Sequence, residues 1–499
     1  MDQPARRGAS SGPRVAIIGA GLGGIAQAAN LVQRGLGNFV IFEKSDGPGG
    51  TWWDNRYPGA ACDVPSVLYS YDFMLMDWDR THATQAELQA YIEHVIDKFG
   101  FRDRLRTGTA VERVVWDDRT STYELVTSRG DTERFNVVVS AVGMLNVPNE
   151  MTWPGLDSFA GLAFHSARWK PEYDLAGKRV AVVGAGASAA QIVPALAPVV
   201  SHLVSFQREA NWVTPKNDHV LSADERQALA SLRRKRGARK RTLRAIDKGL
   251  RVGVDVNGPA ALAAREAGRA YIAKVFADRP DLAQMLTPDY PLRCKRAVVS
   301  SDFLPALTRE NVQVVPRAVT AVRPHAIVDD QGADYPVDVI VMATGFQATN
   351  YLATLEVVGR DGRKIHDVWD GDPNAFLGLT VPGFPNFYML YGPNTHGTVV
   401  SYVLERQAEF VARDVARLRR RRAGRIEVRP AAAAWYQRAL GRGLETVAAW
   451  TADCHSYYHS ATGRNVTQWP WSHGRYKMWT RALRVPSSRI GGRGVWVGP

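Results

Sequence analysis

Two short apolar runs, each leading into a glycine-rich turn, constrain the fold of this chain more than any other feature. Val15-Ala-Ile-Ile18 runs into Gly19-Ala-Gly21-Leu-Gly-Gly24, and Arg179-Val-Ala-Val-Val183 runs into Gly184-Ala-Gly186-Ala-Ser188-Ala189. A short continuous apolar run reads as a buried strand of a parallel sheet. After the first strand, Gly19 permits the tight turn, Gly21 lets backbone approach a pyrophosphate, and Gly24 lets the helix pack closely on the strand. The helix read over 25–34 offers N–H donors and a positive dipole end to phosphate. A second strand, 38–42, ends at Glu43, the spacing at which a carboxylate accepts from ribose hydroxyls. In the second unit the small Ser188 and Ala189 still permit helix packing, and the next strand, 200–206, ends in Gln207-Arg208-Glu209. No acid stands at its ribose-reading point. Arg208 suits a 2′-phosphate and favours NADPH over NADH, although it also reads as a surface charge at a strand end, and Glu209 would repel that phosphate. Two dinucleotide units in one chain predict an α/β fold with two Rossmann-like domains and two cofactors brought face to face.

The remaining composition is compatible with this. A chain of 499 residues calls for two or three domains. No stretch offers the roughly 18 unbroken apolar residues of a membrane span. Met1 to Arg14 is polar with no apolar core, so it reads as a disordered tail rather than a signal peptide. Cys62, Cys294 and Cys454 are far apart and form no CxxC, which predicts no disulfide framework and a cytoplasmic protein. Much of the +14 net charge sits in Arg233 to Arg244 and Arg419 to Arg422. These runs read as solvated helix faces, and without a recognition fold they do not indicate nucleic acid. Cys454-His455 with His459 lacks a second ligand cluster at zinc spacing, so no metal is expected.

Along the chain, a helix is expected over 85–99 and strands over 111–116, 123–127 and 136–142. Residues 217–290 are rich in Ala, Arg, Lys, Glu and Leu, with Leu229 and Leu232, and Ile272, Val275 and Phe276, at helical spacing. They predict a helical insertion forming part of the substrate mouth. A buried strand, 338–343, enters Ala343-Thr344-Gly345-Phe346. Residues 385–397 return the chain to the first domain, and a helix, 399–417, follows. Its N-terminus is placed to favour negative charge on a cofactor. The residues from Pro486 read as loose and polar.

Between the two glycine units lies Phe159-Ala-Gly161-Leu-Ala-Phe-His165-Ser166-Ala-Arg-Trp169-Lys170. It resembles the FxGxxxHTxxWP fingerprint of type I Baeyer–Villiger monooxygenases, keeping Phe159, Gly161, His165 and Trp169 and departing at Ser166 and Lys170, with Pro171 one place late. Gly49-Gly50-Thr51-Trp52-Trp53-Asp54-Asn55-Arg56-Tyr57-Pro58-Gly59-Ala-Ala-Cys62-Asp63 resembles that family's GGTWYWNRYPGARCD stretch, with Asp54 where many relatives have an aromatic residue. Lys295-Arg296, with Arg309-Glu-Asn311-Val downstream, resembles its GxKR segment, and Ala343-Thr344-Gly345 its ATG motif. The likeness covers roughly residues 14–480.

The resemblance implies FAD in the first site and NADPH in the second. On the FAD side it implicates Gly19, Gly21, Gly24, Glu43, Gly50, Thr51, Trp52, Tyr57, Asp63 and Tyr69, with Tyr57 facing the nicotinamide; Thr109-Ala-Val111 reads as a contact on the adenine side or, at least equally, as part of a plain β-meander. On the NADPH side it implicates Gly184, Gly186, Ser188, Arg208 and Lys295, with Tyr457 bordering the cleft. It implies a catalytic Arg296 oriented by Asp63. The implied reaction passes from reduced FAD and O2 to a flavin peroxide that converts a small-molecule ketone to an ester or lactone. The implied domains are an FAD-binding domain (14–150 and 381–499, the latter including a C-terminal cover) and an NADPH-binding domain (151–216 and 291–380), with the helical insertion at 217–290 and the tail at 1–13. An N- or S-oxygenating flavin monooxygenase is the alternative. A flavin disulfide reductase would need a redox cysteine pair that the spacing does not provide. A non-catalytic dinucleotide-binding protein is distinguished by failing to oxidise NADPH when substrate is added.

Overall fold

The computed structural model describes residues 12–249, 254–397, 399–451 and 456–498. Most of the expected tail, residues 1–11, and the Cys454-His455 pair lie outside the described residues. Both apolar runs are the middle strand of a five-stranded, all-parallel sheet. The first sheet runs Phe387–Met389, Val137–Ser140, Val15–Ile18, Phe39–Phe42, Leu105–Arg106. The second runs Leu162–His165, Val339–Met342, Arg179–Val183, His202–Phe206, Val312–Val315. In both, the strand after the glycine helix lies on one side of the central strand. A strand reached through an antiparallel excursion lies on the other. The strand order therefore reverses at each glycine turn, and such a reversal opens a crevice at the carboxyl ends of the strands.

The unbroken hydrophobicity of the central strands has a direct cause. Alternate side chains of a strand point to opposite faces. Val15 and Ile17 pack with the helices Leu22–Val32, Gln85–Phe99 and Val400–Arg421, whereas Ala16 and Ile18 pack with Val114, Trp116 and Tyr123 of an antiparallel sheet. Val180 and Val182 likewise face helices, and Ala181 and Val183 face Val322 and Ile327 of a three-stranded meander. Each domain thus stacks helices, a parallel sheet and a small antiparallel sheet, so neither face of the central strand has room for a polar residue.

Several expectations need correction. The expected tail does not extend over residues 12 and 13: Gly12 and Pro13 are buried, and Arg14 pairs with Glu133 at 2.6 Å. Residues 487–498 are not loose. Ser488–Arg493 pairs antiparallel with Ala423–Val428, and Asn136 Nδ2 donates to the Val495 carbonyl at 2.9 Å. A ladder held by backbone hydrogen bonds needs no apolar side chains, so Gly491-Gly492 concealed it. The insertion is helical, as Ala223–Ala228, Leu232–Gly249, Pro259–Val275 and Pro280–Met285. Cys294, fully buried beside Trp212 and Tyr290, is disulfide-bonded, contrary to the reading of the cysteines. Three helical cations, Arg419, Arg420 and Arg421, occupy the last turn of Val400–Arg421, where the dipole favours positive charge. No helix among the described residues is long and apolar enough to cross a membrane.

Candidate active site

The two crevices open into one cavity of about 1170 Å³, lined by both glycine turns, the Gly50–Asp63 loop and the Lys295-Arg296 segment. Every site residue expected from the sequence lines it except Gly24. Gly24 acts from behind: a Cβ there would lie 1.9 Å from the Gly19 carbonyl oxygen, so the helix could not approach the strand with any larger residue.

The residues present fit two dinucleotides. The helices Leu22–Val32 and Ala187–Leu196 begin at Gly21 and Gly186, and neither carries a side-chain cap. Their first-turn N–H groups therefore remain available for phosphate. Glu43, at the end of its strand, accepts from Ala20 N at 2.7 Å and Ser45 N at 2.9 Å, which fixes its carboxylate at the cavity wall. Burial raises its pKa, and the two N–H donors oppose that rise.

Where the two halves meet, Arg296 Nη2 donates to Asp63 Oδ2 at 2.5 Å. Arg296 keeps 43% of its side-chain surface accessible, but it lines the cavity and its surroundings enclose it, so that surface belongs to the cavity wall rather than the outer face. The attraction of Asp63 raises the pKa of Arg296 further, against the effect of burial. Burial pushes Asp63 the other way, but the charge and hydrogen bonds of Arg296 outweigh it and hold the carboxyl below its usual range. The pair thus puts a permanent cation and its counter-ion together on the cavity wall.

Several neutral polar groups stand beside it. Tyr57 donates through its hydroxyl to Gln191 Oε1 at 3.1 Å, and Gln191 Nε2 donates to the Ala61 carbonyl at 2.9 Å. This ties the first domain's loop to the second domain's glycine helix. His396 is buried, with Nδ1 2.8 Å from the Tyr391 hydroxyl and Nε2 3.4 Å from that of Tyr457. Burial, then repulsion from Arg296, pushes its pKa down to about 3, so it is an uncharged imidazole at neutral pH. Cys62 also lines the cavity as a free thiol, with its pKa raised by burial.

Residues 12–220 match the model of the flavin-binding monooxygenase-like family. Over 485 residues the chain is 41% identical to a Baeyer–Villiger monooxygenase of Streptomyces coelicolor, covering 96% of this chain and 92% of the relative. This chain belongs to the Baeyer–Villiger monooxygenase family. A Baeyer–Villiger monooxygenase of Pseudomonas aeruginosa is 37% identical, over 94% of this chain and 89% of the relative. Among solved structures, a cyclohexanone monooxygenase of Rhodococcus sp. Phi1 bound to NADP+ superposes with a TM-score of 0.87 at 28% identity. It covers 96% of this chain and 99% of that one. An oxidised steroid monooxygenase bound to NADP also gives 0.87, at 30% identity and with the same coverage. The fold is thus that of a Baeyer–Villiger monooxygenase with two Rossmann domains, one for FAD and one for NADPH.

The family fingerprint lies outside the cavity. Gly161 sits where a Cβ would meet the Asp338 carbonyl oxygen at 2.1 Å, and Leu162–His165 is the edge strand beside Val339–Met342. His165 Nδ1 accepts from Ala167 N at 3.1 Å, which leaves the proton on Nε2, 3.1 Å from the Gly345 carbonyl. The fingerprint therefore anchors the Ala343-Thr344-Gly345 turn, which does line the cavity. Trp169 packs edge-on against Phe164. Ser166 is buried and Lys170 is exposed on the outer face, so neither departure reaches the cavity. Of the described residues of the helical insertion, Tyr290 at its end lines the cavity, whereas its helices Ala223–Ala228, Leu232–Gly249, Pro259–Val275 and Pro280–Met285 do not. Sequence reasoning missed Gln191, Tyr391 and His396. Gln191 stands one helical turn past Ser188, a signal that was available. His396 lies in a loop braced by a residue 71 positions later, with His396 N donating to the Thr467 carbonyl at 2.8 Å, and nothing local marks that brace.

Proposed function

We propose that this chain catalyses the FAD- and NADPH-dependent Baeyer–Villiger oxidation of a ketone by O2, giving an ester or lactone. The observation that carries this reading is the Arg296–Asp63 pair, which places a permanent cation at the junction of two dinucleotide sites. Bound FAD, reduced by NADPH, supplies the electrons and the activated oxygen. The role of Arg296 is to hold negative charge on reacting oxygen. Guanidinium suits this because it stays protonated and donates as a rigid fork. A dry, preorganised site strengthens the interaction. Asp63 positions that guanidinium. Gly19, Gly21, Glu43, Gly50, Thr51, Trp52, Tyr69 and Val111 border the FAD site, and Gly184, Gly186, Ser188, Arg208, Lys295 and Tyr457 the NADPH site. Tyr57, with its phenol kept protonated by burial, stands between them. We place the reaction in the cytoplasm, where nicotinamide cofactors are regenerated.

The deciding test incubates the purified protein with NADPH, air and a panel of ketones, amines and sulfides, and identifies products by mass. Esters or lactones from ketones are expected. N- or S-oxides without any ester would overturn the reading. A second expectation concerns the nicotinamide nucleotide. Arg208→Ala removes a charge-assisted contact worth roughly 1.5–3 kcal/mol, so KM for NADPH should rise about 10- to 100-fold while KM for NADH changes little. Equal changes for both would show that Arg208 does not meet the 2′-phosphate.

A further inference from the structure

The two glycine units can be compared atom by atom within this one molecule. Gly19 N donates to the Phe42 carbonyl at 2.7 Å, and Gly184 N donates to the Phe206 carbonyl at 2.9 Å. The residue after Phe42 is Glu43, which lines the cavity, and its counterpart is Gln207. Gln207 is 3% exposed, does not line the cavity, and donates to Ser205 Oγ at 3.1 Å. The second unit therefore lacks the acid that reads a ribose at this register.

Three charged side chains stand just beyond it on the cavity wall: Arg208, Glu209 and Lys295. Lys295 forms an ion pair with Glu209 and lies over the Tyr290 ring, 4.7 Å from its centroid. No acidic side chain among the described residues is paired with Arg208. Of the two cations facing the position of a 2′-phosphate, one already has a counter-ion.

We infer that Glu209 sets the discrimination between the two nicotinamide nucleotides by occupying Lys295. This rests on the reading that the second glycine unit binds NADPH. A 2′-phosphate must take the ammonium from the Glu209 carboxylate and sit beside a like charge. A ribose with a free 2′-hydroxyl meets no such competition and offers Glu209 a donor. The chain is thereby tuned to accept NADH beside NADPH, and removal of the carboxylate sharpens the preference for NADPH.

The test measures dissociation constants of NADP+ and NAD+ for the FAD-loaded protein by titration calorimetry, without turnover. Glu209→Gln keeps the side chain's shape and removes its charge. The ratio Kd(NAD+)/Kd(NADP+) should rise on the order of three- to tenfold, as expected for freeing one partly exposed ion-pair partner. The gain should vanish when Lys295→Met is added. An unchanged ratio, or an equal gain with Lys295→Met present, overturns the inference. Arg208→Ala, titrated in parallel, separates the two levels. If it lowers the ratio while Glu209→Gln does nothing, the inference alone fails. If neither changes the ratio, the assignment of the 2′-phosphate to this strand end fails with it.

Discussion

Arg296→Ala is expected to retain FAD and still oxidise NADPH, but to form ester at no more than about one hundredth to one thousandth of the wild-type rate, the effect of deleting one preorganised donor to a developing oxyanion. The loss has two parts. The variant removes the cation paired with Asp63, and it leaves that carboxylate facing the cavity without its main counter-ion. A carboxylate there reverses the local field. Arg296→Lys should recover part of the rate, since charge returns without the rigid two-pronged geometry. Asp63→Ala should be milder in the chemical step and act through disorder of Arg296. Product mass, read beside NADPH consumption, checks all three: ester near the wild-type rate in Arg296→Ala would remove Arg296 from the reaction.

Arg239→Ala carries the largest expected loss of stability, about 3–5 kcal/mol, because it breaks a buried ion pair from one side. Arg239 Nη2 donates to Glu405 Oε2 at 3.0 Å, with the two side chains 4% and 2% exposed. Its Nη1 also donates to the carbonyls of Leu68 at 3.0 Å and Ser70 at 2.5 Å, next to the cavity residue Tyr69. Glu405 in turn accepts from Asp72 N at 2.6 Å. The helix Leu232–Gly249 of the insertion is thus fastened to the backbone that presents Tyr69, although none of the helix's described residues lines the cavity.

The pH dependence follows from the sign of the Glu405 shift. Burial already raises its pKa in the folded protein, against the pull of Arg239. A carboxyl with a raised folded pKa favours the fold at low pH, and that contribution is lost as pH rises through the folded value. Without Arg239 the pKa rises further, so the deficit should be larger at pH 8 than at pH 5. Denaturant midpoints of the FAD-loaded protein at the two pH values measure it. A deficit independent of pH would mean that the lost carbonyl contacts, rather than the stranded carboxylate, dominate. Arg239→Met with Glu405→Gln should recover part of the stability, since neither variant side chain leaves a buried charge.

The identity of the two central strands and their glycine turns was legible in the residue string because those features are local. A continuous apolar run can only satisfy a strand buried on both faces, and Gly24 is demanded by contacts five residues away. The cavity residues that belong to motifs were legible for the same reason, since loop, spacing and cap travel together along the chain. What joins the halves was legible only in part. That Arg296 meets Asp63 across 233 positions was implied by the family resemblance and not by any local pattern, and that Tyr57 meets Gln191 across 134 was not read at all. Neither residue of such a pair carries a sign of the other. The C-terminal strand and the disulfide at Cys294 stayed hidden because backbone ladders and sulfur pairs do not depend on periodicity. The fingerprint shows the difference most clearly. The sequence alone determined that His165, Gly161 and Trp169 place the chain in its family. Only the tertiary structure decided that they serve as the brace behind the cavity, because contact with a cofactor depends on which face of an edge strand a side chain occupies, and that face is set by the sheet it joins.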